Sequence, residues 1–290
     1  MLWLQFMSGL QSAAILFLLA AGLSIIYGVC HLLNLAHGSF FMLAMFLAYS
    51  ITEKFFSNSD TGFLVALLVV PLLIAMLGIV VEVLIFRHLY QADVLVQILP
   101  SIGLIFLISD LVRGVWGLES RSIDTPSWFS EPVAVLGAYI PGYYLFIIGT
   151  GALVSVLVWF LVNRTPWGLL VRATAANRDA ALGLGVDVRW MFTSVFGLST
   201  WLVGLAGVLI LPLAGANPGS DLDASVDAFA VVVIGGLGSI WGALASAMLI
   251  GMVKAFGILI VPQFTIAFVF ILMAVVLLVR PAGLFGKLNR

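Results

Sequence analysis

The sequence predicts an all-α integral membrane protein with about eight transmembrane helices, including a re-entrant or broken helix segment. Three observations predict it. Of 290 residues, 63% are hydrophobic and 9% are charged, against roughly 25% charged in an ordinary soluble domain. Charge-free stretches recur at 1–52, 61–81, 94–109, 132–163, 190–220, 228–253 and 255–279. These runs lack the period-two alternation of barrel strands, and a helix is the other backbone that satisfies its own hydrogen bonds in hydrocarbon.

A hydrocarbon core of about 30 Å takes about 20 apolar residues as helix, which sets the elements in order. The first 52 residues carry no Lys, Arg, Asp or Glu, so the positive n-region of a cleavable signal is missing and a retained span near 9–30 is expected. A return follows near 39–51, with a helix break at Asn34 to Gly38. Further spans fall near 62–86, 94–113, 138–162 and 190–212. Gly235-Gly236-Leu237-Gly238-Ser239 then breaks a helix into a re-entrant pair, and Pro262 turns the chain into a last span ending at Arg280. Gly38-Ser39 and Gly238-Ser239 are faint echoes of each other, each opening an apolar helix.

Short-loop Lys/Arg bias orients the bundle. Segment 164–189 holds four arginines against Asp179 and Asp187, and the tail 280–290 holds Arg280, Lys287 and Arg290 with no acid. Both are expected in the cytoplasm. The purely acidic Asp221, Asp223 and Asp227 stretch and the loop 113–131 are expected outside, which places the N-terminus outside. Trp116, Trp128, Tyr143, Tyr144 and Trp167 fit an interfacial belt.

Composition also excludes function classes. A net charge of −1 leaves no basic face for nucleic acid. Cys30 is the only cysteine, which excludes an internal disulfide or a multi-cysteine metal site. No nucleophile motif such as Gly-x-Ser-x-Gly accompanies His31, His37 or His88. The only Gly-Lys, Gly286-Lys287, is followed by Leu288, so a phosphate-cradling P-loop is absent. Any ATP hydrolysis behind uphill transport must sit on another polypeptide.

Polar groups at membrane depth are functional candidates because their burial is costly. His31, Asn34 and His37 stand at i, i+3 and i+6, and a hydrogen-bonded kink explains them better than a metal site. Asp110 with Arg113 and Glu82 with Arg87 read as local ion pairs. Gly238-x-x-x-Gly242 allows close helix approach. A broken helix there also presents free backbone N–H groups suited to a carboxylate.

Segment 164–189 carries the clearest local signals. Thr165-Pro166 is an N-cap followed by proline at the first helical position, and Gly185 suits a C-cap. One helix is expected between them, with Leu169, Ala173, Ala176, Ala180 and Leu184 on one face and Arg172, Thr174, Arg178 and Asp179 elsewhere. It is either a solvated connector or a docking helix.

Asp179-Ala180-Ala181-Leu182-Gly183-Leu184-Gly185 resembles the EAA-x-x-x-G coupling loop of bacterial ABC importer permeases. Residues 195–198 depart from the Ile-x-Leu-Pro that many members carry. Gly28-Val-Cys-His-Leu-Leu-Asn34-Leu-Ala-His37-Gly38, Gly204-Leu-Ala-Gly207, Phe229-Ala-Val-Val-Val-Ile-Gly235-Gly-Leu-Gly-Ser239 and Arg280-Pro-Ala-Gly-Leu-Phe-Gly286 extend the likeness in order from about residue 20 to the C-terminus. Together they resemble the LivH-type permease of branched-chain amino-acid ABC importers.

That resemblance implies a single transmembrane permease domain over 1–290, with 164–189 as cytoplasmic coupling loop and 280–290 as cytoplasmic tail. It implies a transport subunit without catalytic residues or cofactor, in a bacterial inner membrane. The implied partners are a second, LivM-like permease, two cytoplasmic ATPases and a periplasmic or surface substrate-binding protein. Arg172, Asn177, Arg178, Asp179, Ala180, Ala181 and Gly185 would couple to an ATPase. Asn34, His37, Gly38, Gly235, Gly236, Gly238 and Ser239 would line the path. Urea and short-amide importers share the pattern, and an ion-coupled secondary transporter acting alone is a further reading, in which Asp110 would take part.

Overall fold

The computed structural model describes residues 2–90, 92–135 and 137–286. Among them, six helices are long and apolar enough to cross a membrane. They are α1 (Leu2–Cys30), α3 (Asp60–Leu84), α4 (Val94–Trp116), α5 (Gly142–Arg164), α8 (Val188–Ala214) and α10 (Ile240–Ile260). Three shorter helices, α2 (His37–Tyr49), α9 (Ser220–Gly235) and α11 (Thr265–Val279), pack with them. The all-α expectation and the count of about eight are in keeping with this.

The apolar stretches of α1 and α8 are 83% and 78% buried, against 33%, 33% and 28% for α3, α4 and α5. The first two form the centre, and the others present one face outward, as helices apolar all round do in lipid. Small residues let the central helices touch. Gly9 lies against Gly251 and Ala255, Gly22 against Ser199, and Gly28 against Gly238, so α10 runs antiparallel along α1.

The expected break between the first two spans is present but falls earlier, over 31–36, and His37 and Gly38 belong to the first turn of α2. His31 takes a left-handed φ of 51° and stops α1, and no regular helix forms until His37. The i, i+3, i+6 helical spacing of His31, Asn34 and His37 is therefore not realised. The second crossing is a non-helical stretch, then α2, then a π-helical turn at Ser50–Phe55.

Three other elements depart from the expectation. The span expected from 138 starts at Gly142, because β1 (Pro132–Val135) and β2 (Ala138–Pro141) pair as an antiparallel hairpin about Gly137, with Val133 opposite Ile140. A charge-free run does not distinguish so short a hairpin from a helix start. The single helix expected between Thr165 and Gly185 is two helices, α6 (Pro166–Ala176) and α7 (Arg178–Gly183). Asp221, Asp223 and Asp227 lie within α9 rather than in a loop.

Gly236–Ser239 reverses the chain between α9 and α10, which resolves the expected break to the glycines and leaves Trp241 inside α10. A 3-10 turn at Pro262–Phe264 leads into α11. The segment after Arg280 folds back, with the Leu284 and Phe285 amides donating to the carbonyls of Ile234 (2.8 Å) and Gly235 (3.0 Å). Lys287 and Arg290 of the tail lie outside the described residues.

Candidate translocation and coupling sites

The chain break before α2 creates a buried polar layer. Asn34 Oδ1 accepts from the Ala36 amide at 3.1 Å, closing a local turn. His37 is fully buried, and its Nε2 donates to the Leu19 carbonyl at 2.8 Å. Its Nδ1 and the Asn34 Nδ2 have no partner among the described residues. The Gly38 amide donates to Ser225 Oγ (3.1 Å), which donates to the Leu35 carbonyl (3.0 Å). A Cβ at Gly38 would collide with the Asp221 carbonyl and Ser225 Oγ. Only glycine lets the first turn of α2 sit on α9.

The same contact buries the Asp221 carboxylate, which accepts from Ser109 Oγ at 2.8 Å and Ser39 Oγ at 3.3 Å. No cation lies within ion-pairing distance of it among the described residues. Its compensation is two hydroxyls and the partial positive charge of the first turn of α9, to which it belongs. Ser109, Asp221 and Ser225 were not singled out by sequence reasoning. The available signal is a helix N-terminus rich in Ser and Asp, inside the acidic stretch expected outside the membrane.

The second group of expected path residues lies at the α9–α10 turn. Gly235 and Gly242 touch backbone to backbone, and Gly236 (φ 98°) faces Gly286. Ser239 caps α10 by accepting from the Gly242 amide at 3.0 Å. Gly238 and Ser239, with Tyr27, His31, Pro281 and Phe285, line a cavity of about 610 Å³. Asn34, His37 and Gly38 do not line it, so the seven expected path residues form two separate groups. Among the described residues, no three or more His, Cys, Asp or Glu side chains gather as metal ligands would.

The expected coupling residues sit where α5 ends and α8 begins. Thr165 Oγ1 accepts from the Gly168 amide (3.1 Å) and caps α6. Asn177, extended at φ −158° and ψ 105°, accepts from the Ala180 amide (2.9 Å) and caps α7. Gly185 takes φ 83° beyond α7, and Arg172 donates to the Val162 carbonyl. The Arg178 guanidinium lies 5.4 Å from the Phe192 ring centre.

Ala181 is buried, whereas Asp179 and Ala180 are exposed. The predicted apolar face, Leu169, Ala173, Ala176, Ala180 and Leu184, is exposed along its length, Leu184 to 84%. Gly168, Val171 and Thr174 face the bundle instead.

Glu82 fastens this end of the bundle. Its side chain is fully buried and meets Arg87 at 3.3 Å, as the local-pair reading expected. It also accepts from Thr193 Oγ1 (2.7 Å) and Tyr90 Oη (3.0 Å), which sequence spacing did not indicate. Burial pushes the Tyr90 phenol up, so it stays protonated and donates. Asp110 pairs with Arg113 at 3.9 Å, and both side chains are at least half exposed, as a local surface pair is.

A sequence profile described as "Branched-chain amino acid transport system / permease component" matches residues 5–279. The chain belongs to this permease family. The permease is 27% identical to the high-affinity branched-chain amino acid transport system permease protein BraD of Pseudomonas aeruginosa, over 98% of this chain and 95% of the relative. It is 25% identical to the corresponding LivH of Escherichia coli, with the same coverage. Among solved structures, PsaBC from Streptococcus pneumoniae in complex with Fab matches with a TM-score of 0.50 at 13% identity, covering 94% of this permease and 89% of that chain. At that identity the likeness bears on the fold alone.

Proposed function

We propose that this permease is a transmembrane subunit of an ATP-binding-cassette importer for branched-chain, hydrophobic amino acids, and that it supplies half of the path. The observation that carries the reading is the end-to-end family match, together with relatives named for branched-chain amino acid transport that cover almost the whole chain. The exposed apolar stripe from Leu169 to Leu184, flanked by Arg172, Arg178 and Asp179, supports the assignment of α6 and α7 as the ATPase docking surface. An exposed stripe of this kind is characteristic of a covered interface.

In this reading 1–290 is one permease domain in a bacterial inner membrane, with the N-terminus outside and 164–189 and 280–290 in the cytoplasm. The partners are a second, LivM-like permease, two ATPases and a periplasmic or surface substrate-binding protein. Closure of the ATPases moves α6 and α7, and α5 and α8, attached directly to them, carry the movement into the bundle. The polar layer at Asn34, His37 and Gly38 and the turn Gly235, Gly236, Gly238 and Ser239 are the points where the path changes shape, because each group sits at or beside a break in regular helix.

The test is co-purification from the native membrane, followed by ATP-driven uptake in vesicles with the binding protein supplied. A second permease and two ATPases should accompany this chain, and leucine, isoleucine or valine should accumulate. Uptake of urea or short amides instead would reassign the substrate. Transport by this chain without ATP would overturn the subunit assignment in favour of an ion-coupled carrier.

A further inference from the structure

An ion pair stands between two helices of the bundle, where such pairs mark function rather than stability. Lys254 lies two-thirds of the way along α10 and Asp227 halfway along α9. Their charged atoms are 2.5 Å apart, with the side chains 26% and 27% exposed. Lys254 is the one charge that separates two apolar runs. It opens onto a cleft of about 260 Å³ between α1, α2, α8, α9 and α10. Gly215 and Asn217, from the α8–α9 connection, line it, at the end of the bundle away from α6 and α7.

The cleft holds more polar capacity than the pair uses. Asp223 lines it with no ion partner among the described residues. Gln11 is 95% buried by residue area, being 5% exposed, and lines the same space. Its amide nitrogen makes no hydrogen bond among the described residues, its oxygen only a long one to Ser12. Ser220 Oγ is buried without a partner and also belongs to the lining. Ile15, Leu16, Leu19, Phe41 and Met45 also line it and give it an aliphatic and aromatic surface. Ser220 Oγ is a buried polar group that needs a partner, and with the unpaired Asp223 and the unshared Gln11 amide nitrogen it leaves hydrogen-bonding capacity that a ligand carrying both charges would use.

We propose that this cleft is a transient binding site for a free amino acid zwitterion within a single permease chain. Asp223 and Asp227 receive the α-ammonium, which has three donors to share. Lys254 receives the α-carboxylate, Gln11 and Ser220 complete the hydrogen bonding, and the Ile15 to Met45 wall takes a branched aliphatic side chain. The ligand class rests on the amino-acid reading above. A neutral ligand such as urea would gain nothing from separating Lys254 and Asp227.

The test uses the assembled transporter in lipid nanodiscs without binding protein, and measures radiolabelled leucine at equilibrium. Valine should compete, whereas isovalerate, which lacks the ammonium, and isopentylamine, which lacks the carboxylate, should not. The Asp227→Asn/Lys254→Met double variant removes both charges and strands neither, and should weaken leucine binding at least tenfold. Asp223→Asn, at an exposed position, should weaken it severalfold and serves if the double variant fails to assemble.

Wild-type leucine binding that is unchanged in Asp223→Asn and in an assembled double variant overturns the site. So does competition by isopentylamine equal to that of valine. If the wild type takes up leucine in the ATP-driven assay while these variants bind it normally, the function stands and only the site falls. If the wild type takes up no branched-chain amino acid, the functional reading falls and takes the site with it.

Discussion

Glu82 has its carboxylate inside the bundle because three side chains from different segments converge on it. Arg87 supplies the charge, and Thr193 and Tyr90 supply hydroxyls. Removing one partner of a buried pair costs about 3–5 kcal/mol, whereas replacing both is often neutral. Arg87 is 32% exposed, so Arg87→Met should cost less than that range, about 2 kcal/mol. The Glu82→Gln/Arg87→Met double variant should recover most of the loss, and melting curves of the purified protein read both. A double variant no better than the single would show that the charge of Glu82 is not what Arg87 compensates. Gly38 sets a steric limit of the same local kind. Gly38→Val places atoms against the Asp221 carbonyl and Ser225 Oγ, and overpacking of this sort costs about 1–3 kcal/mol. Gly103→Ala, inside α4 where a Cβ meets nothing within 4 Å, should instead hold or raise the melt, by up to about 1 kcal/mol.

At the scale of elements, long apolar helices were legible and the helix boundaries set by polar side chains were less so. The span expected at 190–212 appears as Val188–Ala214 and that at 62–86 as Asp60–Leu84, since caps and charges bracket a long periodless run. Asn177 was counted among the coupling residues, yet its breaking of the helix was not foreseen. An Asn inside a helical pattern competes for backbone N–H groups, and here it wins the cap of α7. The acidic stretch Asp221, Asp223 and Asp227 is placed outside by its lack of basic residues, a rule that is silent on burial, and Asp221 is 3% exposed. Of the candidate path, the breaks near 34–38 and 235–239 were visible through Gly, Asn and Ser. The side chains that meet them from α4 and α9 were not, because nothing in a single sequence pairs distant positions. The docking surface yields a direct expectation. Leu184 is 84% exposed, so Leu184→Glu should leave the melting curve within about 0.5 kcal/mol of wild type. It should nevertheless reduce ATPase recovery in co-purification severalfold. Full recovery would move the docking surface elsewhere. Asn177→Ala, by contrast, should cost about 1 kcal/mol through the lost cap.

The two ends of the whole molecule are chemically unlike, and that difference makes the proposed orientation testable. One end carries α6, α7 and the Glu82 cluster, with the arginines of 164–189. The other is knit by polar loop contacts, with Asn58 donating to Asp124 and the Ser127 amide to Asp60, each at 2.8 Å, and by the bridge between Arg121 and Ala216. Basic loops remain in the cytoplasm during insertion, so the proposed function requires the first end inside and the Lys254 cleft on the opposite side of the membrane. The native cysteine makes this simple to measure, because Cys30 is 4% exposed and should be silent to a membrane-impermeant maleimide. Ser130→Cys, in an exposed loop, should label in intact spheroplasts. Gly183→Cys, exposed at the end of α7 with no atom near its Cβ, should label only after the membrane is opened. The reverse pattern would turn the molecule over and place α6 and α7 outside, out of reach of any ATP-hydrolysing partner.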